Sequence, residues 1–124
     1  MAYKTRQKEA IWDVIQESPS PLTAALICEK ASKKVAGLGI ATVYRTLKQL
    51  VEEGQVRHIE FSGVPPHYES SAKHHHHFFL CEQCKRVFDV MGCLRGIPHL
   101  LPKGYHMKRH EIVLYGNCAN CVSH

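Results

Sequence analysis

The chain lacks long apolar runs. No stretch of its 124 residues approaches the roughly 18 consecutive apolar residues of a membrane span. The opening segment, MAYKTRQKEAIWDV, also lacks the apolar core of a signal peptide. We therefore expect a cytoplasmic protein without a membrane partner. Because the cytosol keeps thiols reduced, paired cysteines in such a protein indicate metal or redox chemistry rather than disulfides.

Cysteine and histidine are scarce in the first half of the chain. Only Cys28 and His58 precede residue 66, whereas five cysteines and nine histidines follow it. We place a domain boundary at this change of composition and predict domains over residues 1–66 and 67–124. Domains this small rely on a metal or a partner chain for stability. The net charge of +5 suits a polyanion but is also common in other soluble proteins.

The first half has the pattern of a winged helix. Apolar spacing predicts helices over residues 4–17, from the N-cap Thr23 through Ala31, and over residues 41–53, where Gly54 ends the third helix. QVRHIEF then alternates with a period of two, and SGVP turns the chain back into PHYE. Three helices followed by a hairpin predict a winged helix-turn-helix; a protein-interaction domain is the alternative.

The third predicted helix carries a basic polar side. It presents two hydroxyl groups and two cations, from Thr42, Tyr44, Arg45 and Lys48. Such groups contact phosphates and base edges when the N-terminal end of a helix enters the major groove. We therefore interpret these four residues as a DNA-binding face, with packing of Tyr44 against the wing as the alternative.

Two C-x-x-C pairs mark the second half. CEQC contributes Cys81 and Cys84, and CANC contributes Cys118 and Cys121. Each pair places two thiolates on one tight turn, and two such turns complete a tetrahedral zinc site. A thioredoxin-like dithiol is the alternative, but it needs only one pair. Four thiolates leave no open position for water, and we find no nucleophile-base pair or phosphate-binding glycine loop, so we do not expect an enzyme.

Four consecutive histidines precede the first cysteine pair. In a strand, His74 and His76 would point to one face and His75 and His77 to the other, which could supply two metal sites. Imidazole binds both zinc and ferrous iron. The other candidate ligands are Glu69, Asp89, Cys93 and His110. A solvated polar strand is the alternative for the histidines, and a buried apolar role is the alternative for Cys93.

The motifs, taken in order, closely resemble the ferric uptake regulator family. GIATVYRTLKQLVEEGQV, HYE, the histidine run, CEQCKRVFD, HEIVLYGNC and CANC carry the resemblance. It implies an α+β fold, in which an N-terminal winged helix-turn-helix domain precedes a small α/β zinc-containing dimerisation domain. It further implies a homodimer that binds a palindromic operator in double-stranded DNA. A structural Zn²⁺ and a separate regulatory Fe²⁺ or Zn²⁺, with Mn²⁺ as a third candidate, are the implied cofactors.

The resemblance also assigns roles by position. It places the structural zinc on the four cysteines, the hinge carboxylate on Glu69 and the first sensing histidine on His76. A further family site falls on His75, His77 and His110, and Asp89 matches the carboxylate that peroxide-sensing members use. Tyr44 and Arg45 fall on the DNA-reading helix.

Three departures from the family pattern qualify these roles. Phe78 stands where the family usually has a ligand histidine, which leaves His74 or His58 as candidates for the missing ligand. Ser20 stands where a hinge histidine often lies, and a basic helix that precedes TRQK in many relatives is missing.

The resemblance as a whole predicts a metal-dependent repressor. A peroxide-sensing iron regulator and a metal-binding protein without operator binding are the alternatives.

Overall fold

The computed structural model describes residues 2–92 and 95–122, with side chains from Thr5 onward. The chain forms two compact units, residues 1–74 and 75–124, each with its own three-stranded sheet. No helix in the described residues is both long and apolar enough to cross a membrane. Cys93, a predicted candidate ligand, lies outside the described residues.

Three helices build the core of the first unit: α1 (Ala2–Glu17), α2 (Ala24–Ala31) and α3 (Ile40–Glu52). Their apolar residues recur every three or four positions, so each helix turns one stripe inward. The most deeply buried of these side chains are Ile11, Ile27, Val43, Leu47 and Leu50. Trp12, the only tryptophan of the chain, packs against the same cluster.

Two helix ends follow the sequence prediction closely. The Thr23 hydroxyl accepts a hydrogen bond from the Leu26 amide at 3.2 Å, so Thr23 is the N-cap of α2. Gly54 adopts a φ of 78° just after α3, a left-handed conformation that glycine tolerates without a steric penalty. These two residues therefore set the limits of the central helices.

The sheet of the first unit has the order β1-β3-β2. Its strands are β1 (Leu22–Thr23), β2 (Val56–Ile59) and β3 (His67–Ser70), and both neighbours pair with β3 antiparallel. The β2–β3 hairpin confirms the predicted wing. The two-residue strand β1 was not predicted, because so short a segment cannot show alternation. Together, the helices and this sheet form a winged helix-turn-helix.

The second unit is a small mixed sheet of order β5-β4-β6. The central strand β4 (His77–Cys81) pairs antiparallel with β5 (Val87–Val90) and parallel with β6 (Val113–Gly116). A parallel pair needs a long crossover, and the segment from β5 to β6 supplies it. This segment contains a 3₁₀ helix at Ile97–Leu100, and a four-residue helix, α4 (Ala119–Val122), follows β6.

The division into units differs from the predicted boundary between residues 66 and 67. Strand β3 makes its ladder bonds with β1 and β2, so His67–Ser70 belongs to the first unit. The boundary of the compact units consequently falls after residue 74. The change in cysteine and histidine content does not coincide with the change in hydrogen-bonded partners.

The histidine run is a strand only at its last member, so the strand geometry considered for the whole run does not apply to residues 74–76. Strand β4 begins at His77, which is paired with Val90, and residues 74–76 precede it without ladder partners. The reason is the length of the neighbouring strand, since β5 ends at Val90 and offers no partner for an earlier residue of β4.

Replacement of Leu47 by alanine is expected to destabilise the first unit by about 3 kcal/mol, because a fully buried leucine leaves a cavity. Denaturant unfolding followed by Trp12 fluorescence measures this change. Leu26→Ala on the exposed side of α2 is the matched control and should cost well under about 1 kcal/mol. Equal losses in both variants would contradict this packing.

His67 makes the stability of the first unit depend on pH. Burial lowers the pKa of His67 below its ordinary value, although the hydrogen bond to the Pro65 carbonyl opposes the shift. Below about pH 6.5 the unfolded chain therefore binds a proton that the folded unit resists. The contribution of neutral His67 to the stability of the folded unit is present above about pH 6.5. It is lost as the pH falls through the lowered pKa of His67 in the folded unit. His67→Phe should flatten the slope of unfolding free energy against pH, whereas His99→Phe, at an exposed position, should leave it unchanged.

Candidate metal centres and nucleic-acid interface

Four cysteine side chains converge at one end of the second sheet. Cys81 ends β4, Cys84 lies in the turn that follows, and Cys118 and Cys121 flank the start of α4. Their sulfur atoms lie within 4.8 Å of one another, and Cys84 Sγ is 3.9 Å from Cys118 Sγ. A tetrahedral ion with bonds of about 2.3 Å to sulfur separates its ligands by about 3.8 Å. The predicted four cysteines thus fit one closed tetrahedral ion.

Backbone amides prepare this cluster for a cation. The amides of Cys84 and Cys118 donate to Cys81 Sγ at 3.4 and 3.3 Å. These hydrogen bonds, that of Cys84 first, lower the pKa of Cys81 to about 6, so its thiolate is present at neutral pH. In contrast, the hydrogen bond to Cys118 raises the pKa of Cys121 to about 12. An ion that binds all four sulfurs must therefore displace protons.

A second group contains only imidazoles. His75, His77 and His110 offer ring nitrogens within 4.8 Å of one another, and His75 Nε2 lies 3.1 Å from His110 Nε2. Nitrogen ligands of a tetrahedral ion lie about 3.4 Å apart, so these spacings suit a common ion. Three ligands also leave a fourth position open, in contrast to the closed four-ligand set of a structural zinc site.

His77 is the buried member of this histidine group. Its Nδ1 accepts a hydrogen bond from the Ile112 amide at 3.1 Å, which ties the ring to the segment that enters β6. Burial, followed by the nearby rings of His75 and His110, lowers the pKa of His77. The lowered value favours the neutral imidazole, which is the form that binds a metal.

His76 turns to a different neighbour. Its Nε2 lies 3.6 Å from Asp89 Oδ1 on β5, and both side chains are largely buried. The ring of Phe78 stands edge-on to His76 at 4.9 Å between centroids. The neighbour of His76 at this position is thus Phe78, where the family pattern would have another histidine.

The remaining predicted metal ligands with described positions are Glu69, His74 and His58. Glu69 is buried on β3 of the first unit, where its carboxylate pairs with Arg57 at 3.0 Å and Lys73 at 3.8 Å. His74 is exposed and joins neither histidine group among the described residues. His58 lies on β2 with its ring edge-on to Tyr68 at 5.4 Å. The ligand role of Glu69 stays a prediction, and its two cationic partners were not foreseen from the sequence.

The third helix of the first unit presents the predicted polar side. Tyr44, Arg45 and Lys48 are exposed on α3, Thr42 is half-buried, and Val43 with Leu47 anchors the opposite side in the core. Arg45 Nη2 donates to the Thr42 hydroxyl at 3.1 Å, which holds the guanidinium near the first turn of the helix. The geometry thus leaves a hydroxyl and two cations exposed near the N-terminal half of α3.

The comparisons with known proteins agree in their family. The ferric uptake regulator family matches residues 2–115. The ferric uptake regulation protein of Campylobacter jejuni is 31% identical over 122 residues, which cover 94% of this chain and 78% of the relative. The protein of the same name from Bordetella parapertussis is 30% identical over 112 residues, covering 88% and 77% of the two chains.

Solved structures share the fold. The Helicobacter pylori ferric uptake regulator, whose structure is described as revealing three functional metal binding sites, aligns with a TM-score of 0.79 at 23% identity over 93% of this chain and 79% of that one. A zinc-bound manganese uptake regulator aligns with a TM-score of 0.76 at 22% identity, covering 90% and 87%. A zinc uptake regulator complexed with zinc and DNA aligns with a TM-score of 0.59 at 21% identity, covering 94% and 81%.

Cys118→Ser is expected to release the ion from the cysteine cluster, because three sulfurs cannot close the tetrahedron. After dialysis, elemental analysis should show about one equivalent less metal per chain than in the parent. Far-UV circular dichroism should show loss of the second sheet, while Trp12 fluorescence stays as in the folded parent. Cys28→Ser, in the first unit, is the control. Retention of the parental metal content by Cys118→Ser would contradict this assignment.

Proposed function

The chain belongs to the ferric uptake regulator family, and from that premise we propose that it is a metal-dependent transcriptional repressor that binds operator DNA as a homodimer. The coarser conclusion, a metal-responsive transcriptional regulator, follows from the family and the ligand clusters together. The observation that carries the finer proposal is the presence of two kinds of metal centre in one small unit. A closed set of four sulfurs lies beside an open set of imidazoles.

In this proposal the structural ion is Zn²⁺, held by Cys81, Cys84, Cys118 and Cys121. Support comes from the sulfur spacing and from the preference of zinc for tetrahedral thiolate sites. Zinc has no redox chemistry of its own, which suits a permanent structural role. The amide hydrogen bonds to Cys81 Sγ orient that ligand and favour its thiolate.

The regulatory ion is proposed to bind the histidine and carboxylate ligands. His75, His77 and His110 are its first candidate site, and His76 with Asp89 contributes to a second; Glu69 is retained as a regulatory ligand on the strength of the resemblance. An all-imidazole set favours Zn²⁺ over Fe²⁺ and Mn²⁺, whereas a histidine with carboxylates suits Fe²⁺. Iron or zinc is therefore the proposed signal, with Mn²⁺ as the third candidate.

DNA reading is proposed to use α3. Tyr44, Arg45 and Lys48 are exposed there, and a helix of this position in a winged helix-turn-helix enters the major groove. The cations contribute phosphate contacts, and the Arg45 side chain, held by Thr42, is placed to reach a base edge. A zinc uptake regulator of the same fold was solved in complex with DNA, which supports DNA binding by this fold.

The proposed homodimer forms through the second unit. Strand β6 is an edge of its sheet, and many large apolar side chains of this unit are exposed. They are Met91, Leu100, Tyr105, Leu114, Tyr115 and Val122. Leu114 and Tyr115 lie on β6 itself, and exposed apolar side chains on an open strand edge are typical of a surface that another chain covers. A two-fold dimer presents two α3 helices related by symmetry, which matches a palindromic operator.

Regulation then follows from linkage. If one arrangement of the dimer binds both the ion and the operator more tightly, the ion raises the population of that arrangement. The operator must in turn raise the affinity for the ion by the same factor. Metal-dependent repression therefore needs only differential affinity, with no direct contact between the ion and DNA.

Two alternatives remain distinct. The pairing of His76 with Asp89 is the specific observation that favours a peroxide-sensing iron regulator. In that case peroxide would oxidise the 74–77 peptide of the iron form, and mass spectrometry would detect the added oxygen. A metal-binding protein without operator binding would show equal affinity for palindromic and random duplexes.

Selection from a pool of random duplexes tests the proposal, since no operator needs to be assumed. With the structural ion in place, the selected duplexes should converge on a palindrome only when Fe²⁺, Zn²⁺ or Mn²⁺ is added. Combined substitution of His75 and His77 by alanine should abolish metal-stimulated binding to the selected duplex, whereas His99→Ala, an exposed control, should not. Convergence without added ion, or retained stimulation in the double variant, would contradict the proposed regulatory site.

A further inference from the structure

Two cations hold the Glu69 carboxylate in the first unit. Arg57 on β2 lies directly opposite Glu69 on β3 in the strand register. Arg57 Nη2 lies 3.0 Å from Glu69 Oε2, and Lys73 Nζ lies 3.8 Å from Glu69 Oε1. Each carboxylate oxygen thus has its own positive partner.

Burial makes these partners important to the carboxylate. The side chain of Glu69 is 3% exposed, whereas the Arg57 and Lys73 side chains are 42% and 24% exposed. A buried carboxylate without a cation is costly, so some positive charge must stay near Glu69. The cations themselves reach solvent, and they can leave the carboxylate at a smaller cost than Glu69 could.

Further hydrogen bonds fix both cations in place. Arg57 Nη2 also donates to the Lys73 carbonyl at 3.3 Å, and Lys73 Nζ donates to the Pro19 carbonyl at 3.1 Å. These hydrogen bonds therefore hold both positive charges at defined positions around Glu69. A divalent ion that approaches this carboxylate meets both the occupied oxygens and the repulsion of two like charges.

We propose that Arg57 and Lys73 compete with the regulatory ion for the Glu69 carboxylate and so set the ion concentration at which the regulator responds. This inference rests on the proposed role of Glu69 as a regulatory ligand. Ion binding at Glu69 exchanges one set of positive partners for another, which keeps the buried carboxylate neutralised throughout. The affinity of the site for the ion is therefore lower than it would be if Glu69 had no cationic partners. The factor is set by the free energy of displacing Arg57 and Lys73 from the carboxylate.

Arg57→Gln provides the direct test. Because it removes the closer competitor, it should tighten Co²⁺ binding at the regulatory site by about tenfold, within the usual range of coupling between sites. Competition against a chromophoric chelator measures the affinity, with the structural ion left in place. Lys73→Gln should give a smaller gain, since its Nζ lies farther from the carboxylate. Arg57→Lys, which keeps the charge, should bind Co²⁺ much as the parent does.

A double-mutant cycle separates competition from a general field effect. In a Glu69→Gln background, Arg57→Gln should no longer tighten Co²⁺ binding. Arg6→Gln, which removes the same charge from the exposed side of α1, should leave the affinity unchanged. If Trp12 fluorescence shows that Arg57→Gln perturbs folding, the corresponding cycle with Lys73→Gln tests whether the cations compete with the ion for Glu69.

Three results with the Arg57→Gln substitution would overturn the inference. They are an equal gain in both backgrounds, an unchanged affinity in Arg57→Gln, and a weaker affinity in Arg57→Gln, which would make Arg57 a residue that positions Glu69. If Glu69→Gln alone binds Co²⁺ as tightly as the parent, the ligand role of Glu69 fails and the competition fails with it. That result differs from loss of affinity in Glu69→Gln without any gain in Arg57→Gln, which overturns the competition alone.

Discussion

The convergence of four cysteine sulfurs is the constraint on which the second unit depends. Among its described residues, only Leu80, Cys81 and Val87 are buried apolar side chains, so this unit has little hydrophobic core of its own. The cysteine cluster joins the end of β4 to the segment after β6 and closes the parallel pair. We therefore expect this unit to depend for its structure on the ion proposed for the cysteine cluster, as other small metal-dependent domains do.

The strand that ends in this cluster also begins among the histidines. Because β4 runs from His77 to Cys81, any arrangement that stabilises the cysteines also sets the position of the imidazole group. His110 meets that group from the segment before β6, and the Ile112 amide ties His77 to the same segment. The cysteine cluster thus helps to position the imidazoles of the proposed regulatory site, which lie a few residues away along the same strand.

In the first unit, the buried core and the strand pairing determine where the charged side chains lie. The core side of α3 is apolar and deeply buried, which leaves its opposite side free to carry hydroxyls and cations. The antiparallel register of β2 and β3 places Arg57 against Glu69, and the turn after β3 brings back Lys73. Burial makes the carboxylate sensitive to its partners, so a single acidic residue can connect the ion-pair network of the wing with the proposed response to metal.

Spacing along the sequence sufficed for the features whose physics is local. It determined the helices of the winged domain, the N-cap Thr23, the helix stop at Gly54, the wing hairpin and the grouping of four cysteines, because helix periodicity and C-x-x-C turns act over a few residues. Tertiary structure decided what depends on partners distant in the chain. The lengths of the paired strands restrict β4 to a start at His77, the ladder of β3 moves the unit boundary past residue 70, and the register of β2 gives Glu69 its cations. No local pattern specifies these features, since each arises from hydrogen bonds or charges that only folding brings together.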